Sequence, residues 1–327
     1  RDIQKNYILL GKPLPEEIKL TLSDDLFQND TTLIVPVIDK SERQRPWDEK
    51  FERDYLFIKD EDFNQPENIA GLFSLDDNIA YIKLPEMVSK DEAPLLFEKV
   101  NSFMKSIRND SEALIIDVRA NGGGTRDLLY EFAKYLIHPD SIHIVNVVKQ
   151  RGPLPLPKDY KESLHSRFLY SFSELDDREQ KKATEFLKNF EPIYELDEAK
   201  YSEYYFGLLN GEKLSTEGLY YNKPIYILAN EKTFSAASVF VSAFKGIPNI
   251  KIVGVTTDGS SGNSDWVDLP NSKLFGKIST MVSFQKNGKV LDGYGTTPDI
   301  KIERDMNQVL WQSDTQLEKL RALIKEK

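Results

Sequence analysis

Ser235 stands between a predicted buried strand and a predicted helix, where a hydroxyl group can act as a nucleophile. Residues 224–229, Pro-Ile-Tyr-Ile-Leu-Ala, have the length and branched content of a buried strand. From Ala236 to Phe244, apolar residues recur at helical spacing. Unpaired N–H groups and the helix dipole favour negative charge at a helix start. Serine is also a common N-cap residue, so this position alone indicates either a cap or a nucleophile.

Three consecutive glycines, Gly122, Gly123 and Gly124, follow a second predicted buried strand, Ala113–Val118. Glycines let the backbone approach a ligand closely and expose successive N–H groups. Such donors stabilise the oxyanion of acyl transfer, where the loss of one typically costs about 10²–10³ in rate. A tight strand-to-helix turn is the alternative explanation. The glycine run and Ser235 together favour acyl transfer, because a nucleophile and an oxyanion hole are two parts of one such site.

Four segments carry a resemblance to a known family. Residues 114–124, Leu-Ile-Ile-Asp-Val-Arg-Ala-Asn-Gly-Gly-Gly, closely resemble the glycine segment of the tail-specific, or C-terminal processing, serine peptidases, peptidase family S41. Residues 233–238, Thr-Phe-Ser-Ala-Ala-Ser, resemble that family's nucleophile turn. Residues 256–259, Thr-Thr-Asp-Gly, follow the nucleophile turn at a spacing that resembles the family's. Residues 295–299, Gly-Thr-Thr-Pro-Asp, resemble the family's closing signature.

The resemblance implies an α/β fold with a crotonase/ClpP-like core of stacked ββα units. It implies that Ser235 is the nucleophile, and that the N–H of Ala236 and an N–H of Gly122, Gly123 or Gly124 bind the oxyanion. The expected activity is hydrolysis of polypeptide substrates through an acyl-enzyme. No metal or other cofactor is expected.

The general base is where the sequence departs from the family. In the branch that uses serine and lysine, a lysine occupies the place of Ser260; we treat Ser260 and Ser261 as possible loop contributors. In the branch that resembles tricorn protease, a histidine and an acid complete the site. Asp292 falls where that acid is expected, although aspartate before glycine is also typical of a turn. Lys245 and Lys251 are predicted to be solvated charges.

The sequence contains only three histidines. His138 follows a predicted helix and His143 lies in a predicted strand, so neither matches the family's base. His165, in a predicted insertion, is the one that could reach the site. We therefore expect either that the base lies upstream of Arg1 or that this chain alone is not a competent peptidase. The resemblance to the serine–histidine–acid branch is the closer one.

Two other functions are compatible with this pattern. A chain without its base would be a catalytically impaired peptide- or glycan-binding protein on the same fold. Acyl-CoA chemistry on the related crotonase core also uses paired N–H donors, but residues 114–124 resemble the peptidase segment far more closely.

Composition excludes several classes. The 327 residues include 43 Lys and Arg against 53 Asp and Glu, a net charge of −10, which argues against nucleic-acid binding. The absence of cysteine excludes disulfides and thiolate sites. No apolar run reaches the roughly 18 residues of a membrane span. Because the chain starts at Arg1 rather than Met, we expect a removed upstream segment and, from the resemblance, export to the periplasm or cell envelope.

The chain is predicted to contain two regions. Residues 1–68 are predicted to form a small β-rich appendage, a candidate remnant of a PDZ-like region, with strands at Tyr7–Pro15 and Thr31–Ile38. Residues 69–327 form the peptidase core, with a lid-like insertion at about 150–222 that is rich in tyrosine. These tyrosines serve either packing or peptide contact.

Within the core, apolar runs and helical periodicity predict the remaining elements. Strands are predicted at 78–84, 141–148, 251–254, 266–269 and 277–285, and helices at 90–108, 127–137, 173–188 and 313–325. Ser313 is predicted to cap the last helix, with Gln316 at its capping-box position.

Overall fold

In the computed structural model, the chain divides between Asp60 and Glu61 into two units. The structure describes residues 7, 9–23, 30–38, 62–214, 219–271, 274–309 and 312–326. Within these ranges, no helix is both long and apolar enough to span a membrane.

The N-terminal unit contains an antiparallel hairpin of β1 (Glu17–Ser23) and β2 (Asp30–Pro36). The predicted strand at Thr31–Ile38 is confirmed over residues 31–36, which lie in β2, whereas residues 37 and 38 have no regular structure. The prediction of a strand at Tyr7–Pro15 is wrong, because residues 12–15 have no regular structure and β1 follows them. Proline has no N–H to donate to a strand ladder, which explains the shift away from Pro13 and Pro15.

The second unit contains the remaining elements. Its strands are β3 (Phe73–Asp76), β4 (Ile79–Lys83), β5 (Ala113–Asp117), β6 (Ile142–Gln150), β7 (Tyr170–Ser171), β8 (Tyr205–Asn210), β9 (Ile225–Ala229), β10 (Ile250–Gly254), β11 (Ser264–Leu269), β12 (Leu274–Ser279), β13 (Met281–Phe284) and β14 (Ile300–Lys301). Its helices are α1 (Pro66–Ala70), α2 (Pro94–Asp110), α3 (Asp127–Leu136), α4 (Lys158–His165), a 3₁₀ turn (Phe172–Glu174), α5 (Asp177–Leu187), α6 (Gly211–Leu214), α7 (Ala236–Phe244), α8 (Met306–Val309) and α9 (Thr315–Lys325).

The central sheet has the strand order β14-β10-β9-β5-β4-β3. All its pairs are parallel except the antiparallel edge pair of β3 and β4. Every residue of β5 and β9 is buried, which explains their nearly continuous apolar sequences. Because β5 and β9 are parallel neighbours, with Leu114 opposite Ile225, their carboxyl ends lie side by side. The loops that follow these strands therefore meet at one edge of the sheet.

Helices cover this sheet. In α2 the buried residues include Leu96, Val100, Met104 and Ile107, and the helix begins at Pro94 rather than at the predicted residue 90. Proline suits a first helical turn, where no N–H is needed. All nine residues of α7, the helix after Ser235, are buried. This confirms the predicted fold class, an α/β core with a β-rich N-terminal region; the stacked ββα arrangement stays a prediction.

The predicted insertion contributes to a second, antiparallel sheet of order β13-β6-β8-β7. The predicted strand at 141–148 is confirmed as β6, whereas β8 and α4 were not predicted. Strand β8 is buried throughout although it lies in a tyrosine-rich stretch. Tyr205 and Tyr221 are 3% and 1% exposed, so packing accounts for these two tyrosines.

The end of the chain differs from prediction in its cap. Asp314, not Ser313, precedes α9, and its side chain accepts a hydrogen bond from the N–H of Leu317. Gln316 is buried, and its Nε2 donates to the carbonyl oxygen of Ile302 at 2.7 Å. The side chain of Gln316 thus connects α9 to the core, and the predicted capping box is wrong.

Candidate active site

Ser235 occupies a strained turn between β9 and α7. Its φ of 51° and ψ of −125° lie in a region that residues other than glycine rarely adopt. Its side chain forms no capping hydrogen bond with the helix. The hydroxyl is therefore available for another role, since an ordinary N-cap serine bonds the N–H of the first helical turn.

Two buried polar residues hold this turn in place. Thr233 is fully buried, and its Oγ1 donates to the carbonyl oxygen of Val118 at 2.9 Å. Asn230 is 5% exposed, and its Oδ1 accepts a bond from the N–H of Ala120 at 2.8 Å. Both bonds join the loop after β9 to the loop after β5. Sequence reasoning missed Thr233 and Asn230, although polar residues beside an apolar strand were a usable signal.

The glycine run lies directly against Ser235. A Cβ atom at Gly123 would lie 2.5 Å from the Cβ of Ser235, and one at Gly124 would lie 2.0 Å from the carbonyl oxygen of Met87. Both glycines have positive φ, 92° and 136°. Close approach therefore requires glycine at these two positions. A Cβ at Gly122 would meet nothing within 4 Å.

The amides of the glycine run differ in their partners. The N–H of Gly123 donates to Oδ1 of Asn121 at 2.8 Å. Among the described residues, no acceptor bonds the N–H groups of Gly122, Gly124 or Ala236. Those three amides can serve as oxyanion donors, whereas Gly123 supplies the close contact with Ser235.

The loop after β10 packs between the turn of Ser235 and the 291–295 turn. The N–H of Asp258 donates to the carbonyl oxygen of Thr233 at 3.1 Å. Gly259 has a φ of 88°, and a Cβ there would lie 2.3 Å from the carbonyl oxygen of Leu291. The loop therefore connects the turn of the candidate nucleophile to the turn that carries Asp292.

Asp292 lies in this group of loops and bonds to Ser261. Its Oδ1 accepts the N–H of Ser261 at 2.9 Å, and its Oδ2 lies 3.1 Å from the Oγ of Ser261. Ser260 turns the other way, since its Oγ donates to Oδ1 of Asp258 at 2.6 Å. A carboxylate has about four acceptor positions, so Asp292 retains capacity to orient a further donor.

Comparison with known proteins identifies the family. The sequence profile described as Peptidase family S41 matches residues 78–302, more than half of the chain. The chain belongs to peptidase family S41. The matched range includes Gly123, Ser235 and Asp292.

Solved structures share this fold. Mature CPAF complexed with lactacystin has a TM-score of 0.58 and 16% identity, covering 97% of this chain and 70% of that one. A putative peptidase from Parabacteroides merdae ATCC 43184 has a TM-score of 0.51 and 16% identity, covering 93% of this chain and 76% of that one.

Among protein sequences, an uncharacterised protein of Chlamydia muridarum (strain MoPn / Nigg) is 28% identical over 107 residues, which are 32% of this chain and only 18% of that protein.

Two of the three histidines of this S41 chain lie beside acidic residues, and the third lies within a strand. Nε2 of His165 lies 2.8 Å from Oε1 of Glu174, and its ring stacks on Tyr170. Nδ1 of His138 accepts the backbone N–H of Asp140 at 3.2 Å. His143 lies in β6, where burial, with nearby lysines, lowers its pKa to about 4. In the described structure, none of these imidazoles bonds to Ser235 or Asp292.

Two lysines near α7 have structural roles. Lys245 forms an ion pair with Asp299, so the prediction that Lys245 is a solvated charge is wrong. Lys251 is exposed, in agreement with the same prediction for that residue. Nζ of Lys286 donates to the carbonyl oxygens of Ala243 at 3.0 Å and Lys245 at 2.9 Å. Burial lowers the pKa of Lys286 to about 8. It lies at the carboxyl end of α7, whereas Ser235 precedes the amino end, so it is not placed to activate Ser235.

A buried ionic cluster supports the strand that leads to the glycine run. Asp117 is fully buried, and its Oδ2 lies 2.6 Å from Nη2 of Arg119 and 3.4 Å from Nζ of Lys83. Arg119 also contacts Asp314 at 2.6 Å. Burial alone would raise the pKa of Asp117, but Arg119 and Lys83 together hold it well below its usual range. The cluster therefore connects β5 to the start of α9.

Proposed function

We propose that this chain is the catalytic part of a serine endopeptidase of the C-terminal processing type. The observation that carries the proposal is the contact between Gly123 and Ser235, where a Cβ on the glycine would lie 2.5 Å from the serine Cβ. This contact brings the amides on either side of Gly123 close to the serine, as a nucleophile and its oxyanion hole require.

The proposed reaction proceeds through an acyl-enzyme. Oγ of Ser235 attacks the scissile carbonyl carbon while its proton passes to an imidazole base. The N–H of Ala236, with that of Gly122 or Gly124, stabilises the negative oxygen. The imidazolium then protonates the leaving amine as the C–N bond breaks, and water hydrolyses the ester by the same route. No metal takes part in this proposal.

Asp292 is proposed to orient the imidazole. Its carboxylate is already held by Ser261 and has further acceptor capacity. The histidine itself is proposed to come from another segment of a longer protein, since in the described structure none of His138, His143 and His165 bonds to Asp292 or Ser235. Export to the periplasm or cell envelope is proposed on the family resemblance.

A fluorophosphonate probe tests this proposal, because it reacts only with an activated serine hydroxyl. Native protein, including any upstream segment, should be labelled, and Ser235→Ala should not. Ser102→Ala is the matched control, since Ser102 is exposed on α2 and bonds only to the carbonyl oxygen of Lys99. Absent labelling of the native protein, or equal labelling of Ser235→Ala, would refute the catalytic role.

The second candidate function is peptide or glycan binding without catalysis. It is favoured by Ser260 at the position where one branch has a lysine, and by the fact that no histidine of the described residues bonds to Ser235 or Asp292. An unlabelled native protein that still binds a peptide or an oligosaccharide would support this alternative. Labelling at Ser235 would exclude it.

A further inference from the structure

Arg126 is a buried cation immediately beyond the glycine loop. It is 5% exposed, and its Nη1 donates to the carbonyl oxygen of Arg167 at 2.9 Å. Among the described residues, no carboxylate pairs with it. A guanidinium carries five N–H donors, so most of those on Arg126 have no protein acceptor. Burial lowers its pKa to about 10, as expected for a cation that lacks a counter-ion.

Arg167 is a second cation beside it. Its Nη1 donates to the carbonyl oxygen of Ser163 at 2.6 Å and to the Oγ of Ser163 at 2.8 Å. Burial lowers its pKa as well, and its charge acts on Arg126. In the described structure it also has no carboxylate partner. Two adjacent, partly desolvated cations are unfavourable unless an anion binds them.

The pair borders the candidate active site on two sides. Arg126 is three residues beyond Gly123, so their Cα atoms are at most about 11 Å apart. On the other side, Ser163, which accepts from Arg167, also accepts from Nδ2 of Asn263 at 3.2 Å. Asn263 ends the loop that contains Ser261. The two arginines are therefore connected along the chain to the glycine loop, through Arg126, and by hydrogen bonds through Ser163 to the loop that bonds Asp292.

We propose that Arg126 and Arg167 form a carboxylate-binding subsite beside Ser235. Arginine donates two parallel hydrogen bonds to a carboxylate, which gives both charge compensation and orientation. The carboxylate is the C-terminal group or an acidic side chain of the polypeptide substrate, and in this respect the inference rests on the proposed function. It specifies a substrate class, namely peptides with a negative charge near the scissile bond.

Binding can be measured without catalysis in the Ser235→Ala protein. Three probes are titrated by ligand-observed NMR: acetyl-Ala-Ala-Ala with a free carboxylate, the same peptide as its amide, and acetyl-Ala-Glu-Ala amide. At least one carboxylate peptide should bind about tenfold or more tightly than the neutral amide, as expected for a charge-assisted bond. Preference for the first peptide identifies the C-terminal group, and preference for the third an acidic side chain.

Variants then assign the site. Arg167→Gln should remove the carboxylate preference, whereas Arg151→Gln, an exposed arginine at the end of β6, should leave it within about twofold. Arg126→Lys keeps the charge but loses the planar fork, and should weaken binding about tenfold. Thermal melting identifies any variant that fails to fold; Arg167→Gln, which is less buried, then decides.

Two results would overturn the subsite. One is the absence of any preference for a carboxylate peptide, and the other is an equal preference in Arg167→Gln and Arg151→Gln. The peptidase proposal fails separately: carboxylate preference with no fluorophosphonate labelling of native protein would retain the subsite and refute catalysis. Labelling of the native protein without any carboxylate preference would refute the subsite and retain the catalytic proposal.

Discussion

Gly123 and Ser235 are 112 positions apart in sequence, yet a Cβ on the glycine would lie 2.5 Å from the serine Cβ. The neighbouring backbone leaves no other space, since the N–H nitrogen of Ala236 would be 3.0 Å away. The strained turn and the glycine loop are therefore packed as one unit.

The first prediction concerns this contact. Gly123→Ala combines the clash with a φ of 92° and should lower the free energy of unfolding by about 1–3 kcal/mol. Gly122→Ala is the matched control, because its Cβ meets nothing within 4 Å; it should change stability by no more than about 0.5 kcal/mol. Urea denaturation measures both. Equal effects would show that the contact between Gly123 and Ser235 is not close in solution.

The second prediction concerns the buried cluster. Asp117→Asn leaves the cations Arg119 and Lys83 without their shared anion and should cost about 3–5 kcal/mol. Asp314→Asn removes a carboxylate whose side chain is 41% exposed and should cost about 1 kcal/mol or less. Chemical denaturation at pH 7 compares the two. A larger loss for Asp314→Asn would contradict the assigned role of Asp117.

The same cluster makes the free energy of unfolding depend on pH in the acid range. The pKa of Asp117 is lower in the folded chain than its unfolded value of about 3.9. Its ionised form is thus stabilised by folding, and this stability is fully present above about pH 5 and is lost as the pH falls further. The stability difference between wild type and Asp117→Asn should therefore shrink on acidification. A difference that grows at low pH would be inconsistent with this sign.

The third prediction is a pH dependence of stability with the same sign in the alkaline range. Burial lowers the pKa of Lys286 to about 8, below the unfolded value of about 10.4. The unfolded chain binds more protons between these values, so stability should rise with pH in this window, by on the order of 2 kcal/mol. Lys286→Met should lose this rise. Denaturation at pH 7.5, 9 and 10 gives the comparison, with exposed Lys251→Met as control; a rise retained in Lys286→Met would contradict the assignment.

Sequence patterns predicted the elements whose burial is nearly complete. Strands β5 and β9 lie close to their predicted bounds, because an apolar run that is buried on both faces leaves little choice of structure. Helix α3 also lies close to its predicted bounds, since its apolar residues recur at helical spacing and are mostly buried. Strand β8 was missed because its place depends on pairing with β6, more than fifty residues away along the chain. The cap of α9 was missed because Ser313 and Asp314 are both suitable caps, and only packing selects one.

The parts of the candidate site that lie within the family motifs were predictable from the sequence. The motifs named Ser235, the glycine run and Asp292, and the structure adds how each is held. No local pattern brings Arg126 and Arg167 together, because they meet only when the insertion folds over α3. Likewise, burial of Thr233 and Asn230 follows from the meeting of two loops, which spacing along the chain does not describe.

The last prediction distinguishes two roles of Asp292: orientation of the catalytic base, or stabilisation of its own turn. If Asp292 orients the base, Asp292→Asn should lower the rate of fluorophosphonate labelling of Ser235 by up to about 10⁴-fold, because an amide favours the wrong imidazole tautomer. Ser261→Ala removes only the bond from Oγ to Oδ2 at 3.1 Å and keeps the bond from the N–H. It should slow labelling about tenfold or less.

If instead Asp292 serves only the turn, both variants should lose thermal stability together and label at similar rates per folded molecule. Measuring labelling and melting on the same samples distinguishes these outcomes, since orientation of a base changes the rate without changing the melting temperature.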